Sequence, residues 1–123
     1  MTPGSPPFTV AVAETASGAR LLILSGPLTI KTLFDFQAAV RAEIGKPLIV
    51  DLSAVPYMDS AGLGSVMSAY TAWQRLQRGF ALCGVCDRVR TLLAITHVDD
   101  ILPCFGSIPD AEAGIAASGT NTQ

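Results

Sequence analysis

The sequence has 123 residues, of which 50% are hydrophobic and 15% are charged; this is enough apolar material for the core of one globular domain but too little chain for a second. Ten acidic and eight basic side chains give a formal net charge of −2, whereas nucleic-acid binding depends on a basic surface. The composition therefore excludes a disordered chain and argues against direct contact with nucleic acid.

Both ends of the sequence are poor in apolar residues. Residues 1–7 and 118–123 are rich in Pro, Gly, Ser, Thr and Asn, which predicts mobile tails around a single domain at residues 8–117. No apolar run reaches the length of about 18 residues that a membrane span requires, and the first residues lack the pattern of a secretory signal. Three cysteines, an odd number, indicate reduced thiols. We therefore expect a cytoplasmic protein with no membrane span.

The first predicted elements are two short strands and a helix. Residues 8–13 (FTVAVA) and 20–24 (RLLIL) flank a turn and predict an antiparallel hairpin. Apolar side chains then recur at three- and four-residue spacing, which predicts the buried face of a helix: Leu33, Phe36, Val40 and Ile44. Gly45 and Pro47 are expected to end this helix.

Strands and helices alternate in the rest of the chain. Residues 48–52 (LIVDL) are almost unbroken apolar sequence, typical of a central strand covered on both faces. The helix predicted next, at 60–77 and ended by Gly79, would bury Leu63, Val66 or Met67, Tyr70, Trp73 and Leu76. Strands at 80–85 and 104–108 and helices at 88–96 and 109–117 follow. This order predicts an α/β fold, a mixed and mostly parallel sheet with an N-terminal antiparallel hairpin and about four helices.

The candidate site lies between the central strand and the following helix. Ser60 follows Asp59 at the carboxyl edge of the predicted sheet, where open α/β sheets usually carry their sites. The first helical turn has backbone N–H groups without internal partners and the positive end of the helix dipole. Ser60 is therefore predicted to be the N-cap, and it can be a cap and nothing more. The same helix end would also stabilise a phosphate on the Ser60 hydroxyl.

Two glycines follow Ser60 where the helix begins. Gly62 and Gly64 would each cost about 0.5–1 kcal/mol relative to alanine in a helix interior. We interpret this cost as the need for another backbone, or for the surface of a partner, to come close to the turn.

The residues DLS at 51–53 and MDSAGLG at 58–64, in this strand-to-helix position, resemble the STAS domain family of sulphate transporters and anti-sigma factor antagonists. The similarity is greatest to the free-standing bacterial antagonists, covers about residues 8–116 and includes the Gly26-Pro27-Leu28 turn. It implies a STAS-like fold in a protein that acts as a regulatory switch. We expect no enzyme activity, no cofactor and no metal.

The resemblance also implies a phosphorylation switch. An anti-sigma factor with serine kinase activity would phosphorylate Ser60, and a metal-dependent serine phosphatase would remove the phosphate. Unmodified protein would bind the anti-sigma factor and so release a sigma factor, whereas a phosphate beside Asp59 would oppose binding by like charge. The partner-binding residues implied by the resemblance are Met58, Asp59, Ala61, Gly62, Leu63, Gly64 and Thr29.

The segment after the second strand departs from the family pattern. Many phosphorylated members carry acidic residues there, whereas residues 27–31 of this chain read PLTIK. The departure leaves open a STAS module that is never phosphorylated and that acts in a signalling scaffold or in a lipid or anion transport complex. Self-association is also left open.

Other candidate sites are weaker. Cys83 and Cys86 have the C-x-x-C spacing of redox pairs, but that chemistry needs an exposed helix N-terminus, and structural zinc needs four ligands. A serine hydrolase would pair Ser60 with His97, but the G-x-S-x-G motif is absent. We predict that the cysteines pack in the core, that His97 interacts with carbonyls at the end of a helix, and that the protein has no catalytic residue.

Overall fold

The structure, a computed structural model that describes residues 7–119, contains one five-stranded sheet in the order β1-β2-β3-β4-β5. The first two strands are antiparallel and the other neighbouring pairs are parallel. The strands are β1 (Thr9–Glu14), β2 (Arg20–Ser25), β3 (Leu48–Ala54), β4 (Phe80–Cys83) and β5 (Cys104–Phe105); the helices are α1 (Leu33–Ala42), α2 (Ser60–Arg75), α3 (Asp87–Ile95) and α4 (Ile108–Gly119). This architecture confirms the predicted fold class.

The central strand β3 is covered on both faces of the sheet. Leu48, Val50 and Leu52 point into the larger core, which α1, α2 and α3 complete, and Ile49 points into a smaller core beneath α4. All four side chains are fully buried. This explains the unbroken apolar run, because both sets of alternating side chains on this strand leave water.

Helix α2 and helix α3 are each followed, two residues after their last helical residue, by a left-handed residue that is not glycine. Gln77 has φ +57° and His97 has φ +61°. After each of them, the next backbone N–H bonds to the carbonyl five residues earlier, Arg78 to Trp73 and Val98 to Leu93, which is the Schellman arrangement. Gly79 is therefore not the residue that ends α2, and His97 ends α3 through its backbone conformation.

Several predicted boundaries and buried positions are wrong. Ile44 and Leu76 lie beyond the ends of α1 and α2 and are exposed, because each helix stops before the apolar period does. Strand β5 has only two residues, and α4 starts at Ile108 and reaches Gly119, so that it includes two residues assigned to the C-terminal tail. Of the other tail residues, residue 7 precedes the first strand, and residues 1–6 and 120–123 lie outside the described part of the chain. Among residues 7–119, none of the helices has the length and apolar character of a membrane span.

Candidate functional site

Asp59, not Ser60, is the N-cap of α2. Its backbone is extended, and its carboxylate Oδ1 accepts a hydrogen bond of 2.8 Å from the backbone N–H of Gly62. Ser60 is the first residue of the helix, and its side chain is exposed. The prediction that Ser60 caps the helix is wrong because aspartate caps as well as serine and adds a negative charge at the positive end of the dipole. Helix formation thus leaves the Ser60 hydroxyl without a capping role.

The second carboxylate oxygen of Asp59 binds a different part of the chain. Oδ2 accepts a hydrogen bond of 3.1 Å from the backbone N–H of Ile30. Two backbone bonds run beside it, from Leu28 N–H to the Tyr57 carbonyl (3.2 Å) and from Asp59 N–H to the Leu28 carbonyl (3.3 Å). Asp59 therefore joins the start of α2 to the segment of residues 28–34 that leads into α1.

These contacts keep Asp59 ionised. The hydrogen bond from the Gly62 amide is the largest influence and lowers the pKa of the carboxyl group, and the Ile30 amide lowers it further, against an opposing effect of partial burial. Both amides favour the charged form because they donate to the carboxylate. A fixed negative charge therefore lies next to Ser60 at neutral pH.

The two glycines of α2 have different environments. A Cβ on Gly62 would overlap the Leu28 carbonyl oxygen and lie 2.8 Å from its carbonyl carbon, whereas a Cβ on Gly64 would have no neighbour within 4 Å. The sequence predicted that a backbone or a partner would come close to this turn. At Gly62 the close backbone is that of Leu28, in this same chain. Of the two, only Gly64 leaves open surface for a partner.

The segment of residues 28–34 is held in shape by its own hydrogen bonds. The Thr29 carbonyl accepts from the backbone N–H groups of Thr32 and Leu33, and the Thr29 hydroxyl accepts from Lys31 N–H at 3.2 Å. The Thr32 hydroxyl donates to the Pro27 carbonyl at 2.8 Å and accepts from Thr29 N–H. Thr29, predicted as a contact residue, therefore lies in an ordered turn that the Asp59 bonds attach to the start of α2.

The predicted contact residues divide into a surface layer and a layer beneath it. Ser60 and Gly64 are exposed, and Thr29, Asp59 and Ala61 are half-buried. Met58 and Leu63 belong to the larger core, and Gly62 is buried under Leu28. These last three support the surface from beneath, and their contact with a partner stays a prediction.

Three exposed apolar side chains in the segments that hydrogen bonds join at Asp59 were missed from the sequence. Ile30, Phe34 and Tyr57 are 57%, 64% and 39% exposed, and the guanidinium carbon of Arg88 lies 5.0 Å from the centre of the Tyr57 ring. Phe34 had a signal in the sequence, because it is apolar and lies outside the helical spacing of the buried residues Leu33, Phe36 and Val40. We call the residues Thr29, Ile30, Phe34, Tyr57, Ser60 and Gly64 the Ser60 surface.

Cys83, Cys86 and Cys104 form no disulfide in the described part of the chain. Cys83 is buried on β4, where burial, with a smaller effect of Asp51, raises the pKa of its thiol to about 11. Cys86 precedes the first residue of α3, and its Sγ lies 3.5 Å from the Val55 carbonyl oxygen. The prediction that Cys83 packs in the core is confirmed. Among residues 7–119, no three His, Cys, Asp or Glu side chains are grouped closely enough to hold a metal ion.

Comparison with known families agrees with this architecture. Residues 11–111 match the family model of the STAS domain. The chain belongs to the STAS domain family. The family assignment covers the whole sheet except the first two residues of β1, and it includes the Ser60 surface.

Proteins similar to this STAS domain include anti-sigma factor antagonists, and an anion transporter shares its fold. Over 58 residues it is 40% identical to the anti-sigma-B factor antagonist of Listeria monocytogenes; the match covers 47% of this chain and about half (51%) of that protein. An anti-sigma factor antagonist from Mycobacterium paratuberculosis has a similar structure, with a TM-score of 0.79, 25% identity and coverage of 91% of this chain and 98% of that one. The murine anion transporter Slc26a9 shares the fold alone, with a TM-score of 0.67 and 17% identity over 89% of this chain and 22% of that one.

Proposed function

We propose that this STAS domain is an anti-sigma factor antagonist controlled by phosphorylation of Ser60. Its unmodified form binds an anti-sigma factor that is also a serine kinase, and the bound anti-sigma factor releases a sigma factor. Phosphorylation of Ser60 by that kinase ends the interaction, and a metal-dependent serine phosphatase restores it. The names of the Listeria and Mycobacterium relatives support the antagonist role.

The observation that carries the proposal is the division of roles between Asp59 and Ser60. Asp59 caps α2 and holds residue 30, while the hydroxyl of Ser60 is exposed one residue later. A kinase can therefore transfer the γ-phosphoryl group of ATP to Ser60 Oγ, with release of the hydroxyl proton and ADP, without removing the helix cap. The positive end of the α2 dipole would stabilise the phosphate.

The electrostatics of the site explain why phosphorylation would oppose binding. Asp59 already contributes one negative charge, and a phosphoserine adds about −1.5 to −2. A partner that covers the Ser60 surface would have to remove water from both groups, which is costly unless it supplies matching positive charge.

The proposed kinase reaction uses ATP. We therefore propose that binding, phosphorylation and release take place in the cytoplasm.

The test is phosphorylation by purified anti-sigma factor kinases from the native cell, with Mg²⁺ and ATP. We expect peptide mass spectrometry to find one phosphoryl group, on Ser60, and calorimetry to find binding by the unmodified protein only. Ser60→Ala should remain unmodified and bound. Ser68→Ala, which changes another exposed serine of α2, should behave like the native chain. A native chain that stays unmodified while it binds partners would instead support the scaffold or transport-complex alternative.

A further inference from the structure

The exposed pair Ile30 and Phe34 belongs to neither hydrophobic core. The bond from Leu33 N–H to the Thr29 carbonyl continues the α1 hydrogen-bond pattern one turn back, so residues 30 and 34 are one turn apart on the same side. Phe36, two residues further on, already supplies α1 with a fully buried aromatic ring. Single exposed apolar residues are common, but adjacent ones next to a candidate site indicate an interaction surface.

This apolar pair is structurally continuous with Ser60. The backbone N–H of Ile30 donates to the carboxylate of Asp59, the residue directly before Ser60. The backbone bonds of Leu28 attach the same segment to residues 57 and 59. A partner that covers the Ser60 hydroxyl therefore docks at a segment that is hydrogen-bonded to this helix start and that exposes Ile30 and Phe34.

The charges on and around the Ser60 surface indicate whether a partner would bind it through apolar contacts or through ion pairs. Residues 27–34 contain one charged side chain, Lys31, and both oxygens of Asp59 are engaged by backbone amides of this chain. Asp35, next to Phe34, and Arg88, over the Tyr57 ring, add one exposed charge of each sign. The Ser60 surface thus offers apolar area and hydroxyl groups, with single charges of both signs around it and no cluster of carboxylates for a basic partner.

We propose that Phe34 is the main anchor of the anti-sigma factor, with Ile30 beside it, and that the anti-sigma factor recognised by this chain has an apolar pocket at that place. This proposal rests on the proposed function and specifies the partner's chemistry. Aromatic side chains that enter a dry pocket carry much of the affinity of an interface. Affinity then comes from apolar contact at residues 30 and 34, and control comes from charge at residue 60.

The experiment uses the purified anti-sigma factor kinase that binds the native chain, titrated by calorimetry against four variants. Phe34→Ala should raise Kd at least about 30-fold, Ile30→Ala should raise it less, and Phe34→Leu should recover most of the affinity. Ile95→Ala removes an equally exposed apolar side chain from α3 (68% exposed) and should change Kd less than about 3-fold. Raising NaCl from about 0.05 to 0.5 M should weaken native binding less than about 3-fold, because apolar contacts are not screened by salt.

The outcomes separate this proposal from the proposed function. A kinase that phosphorylates and binds the native chain but binds Phe34→Ala equally well would overturn the anchor and leave the antagonist role intact. Strong loss of native binding in salt would also overturn it, in favour of a charged interface. If no anti-sigma factor kinase binds the native chain, the proposed function fails and the anchor fails with it. Thermal melting of each variant, expected within a few degrees of the native value, shows that binding changes are not caused by unfolding.

Discussion

Alanine substitutions at Gly62 and Gly64 should have opposite effects on stability. Added atoms at position 62 would overlap the backbone of Leu28, which cannot rotate away as a flexible side chain can. Overpacking of this kind costs about 1–3 kcal/mol, and displacement of Leu28 would weaken its two hydrogen bonds to residues 57 and 59 at about 1 kcal/mol each. Alanine recovers about 1 kcal/mol of helix propensity. We therefore expect Gly62→Ala to lower the free energy of unfolding by about 2–4 kcal/mol.

Gly64→Ala is the matched control in the same helix. Position 64 has open space around it, so only the propensity gain applies and the free energy of unfolding should rise by about 0.5–1 kcal/mol. Urea denaturation of both variants, monitored by circular dichroism, measures the two differences. If Gly62→Ala were as stable as Gly64→Ala, the close approach of Leu28 to α2 would not be the reason for glycine at position 62.

Three further predictions concern the cap, the switch residue and the end of α2. Asp59→Asn can accept from only one of the two amides that bind the carboxylate, so the substitution should lower the free energy of unfolding by about 1 kcal/mol at neutral pH. Because the folded pKa of Asp59 is lowered, the full difference should be present above about pH 4 and should shrink as the pH falls through the folded pKa. A pH-independent difference in urea denaturation would contradict this prediction. Ser60→Ala should change stability by less than about 0.5 kcal/mol, since it removes no cap, and should bind the anti-sigma factor constitutively, whereas Ser60→Asp should bind more weakly in calorimetry. Gln77→Gly should raise the free energy of unfolding in urea by about 1 kcal/mol, because the φ of +57° strains a glutamine but not a glycine; an unchanged midpoint would show that Gln77 is not strained.

Periodicity predicted the elements better than their ends. The helical spacing of Leu33, Phe36 and Val40 identified the buried face of α1, but the same spacing extended to Ile44, where the backbone had already turned. Helix ends depend on local hydrogen bonds that the apolar pattern does not record. The left-handed Gln77 is an example, since a glycine two residues later gave a stronger but misleading stop signal.

The site needed contacts that are distant in sequence. The close backbone required at Gly62 comes from Leu28, and the second partner of Asp59 comes from Ile30. Neither pairing has a signature in the sequence, because it depends on how the segment after β2 packs against the start of α2. The choice between adjacent serine and aspartate as cap was also undetermined, since both residue types are strong N-caps.

The use of Asp59 as the cap determines how a switch at Ser60 could work. If the Ser60 hydroxyl capped α2, its phosphorylation would change the helix end and the segment of residues 28–34 together with the charge. Here the cap and the link to Ile30 both belong to Asp59, so we expect that a phosphate at Ser60 would alter the charge of the surface while Ile30 and Phe34 kept their positions. In the proposed mechanism, the two forms of the protein would therefore present the same shape to the anti-sigma factor, and about −1.5 to −2 units of charge would be the whole difference between binding and release.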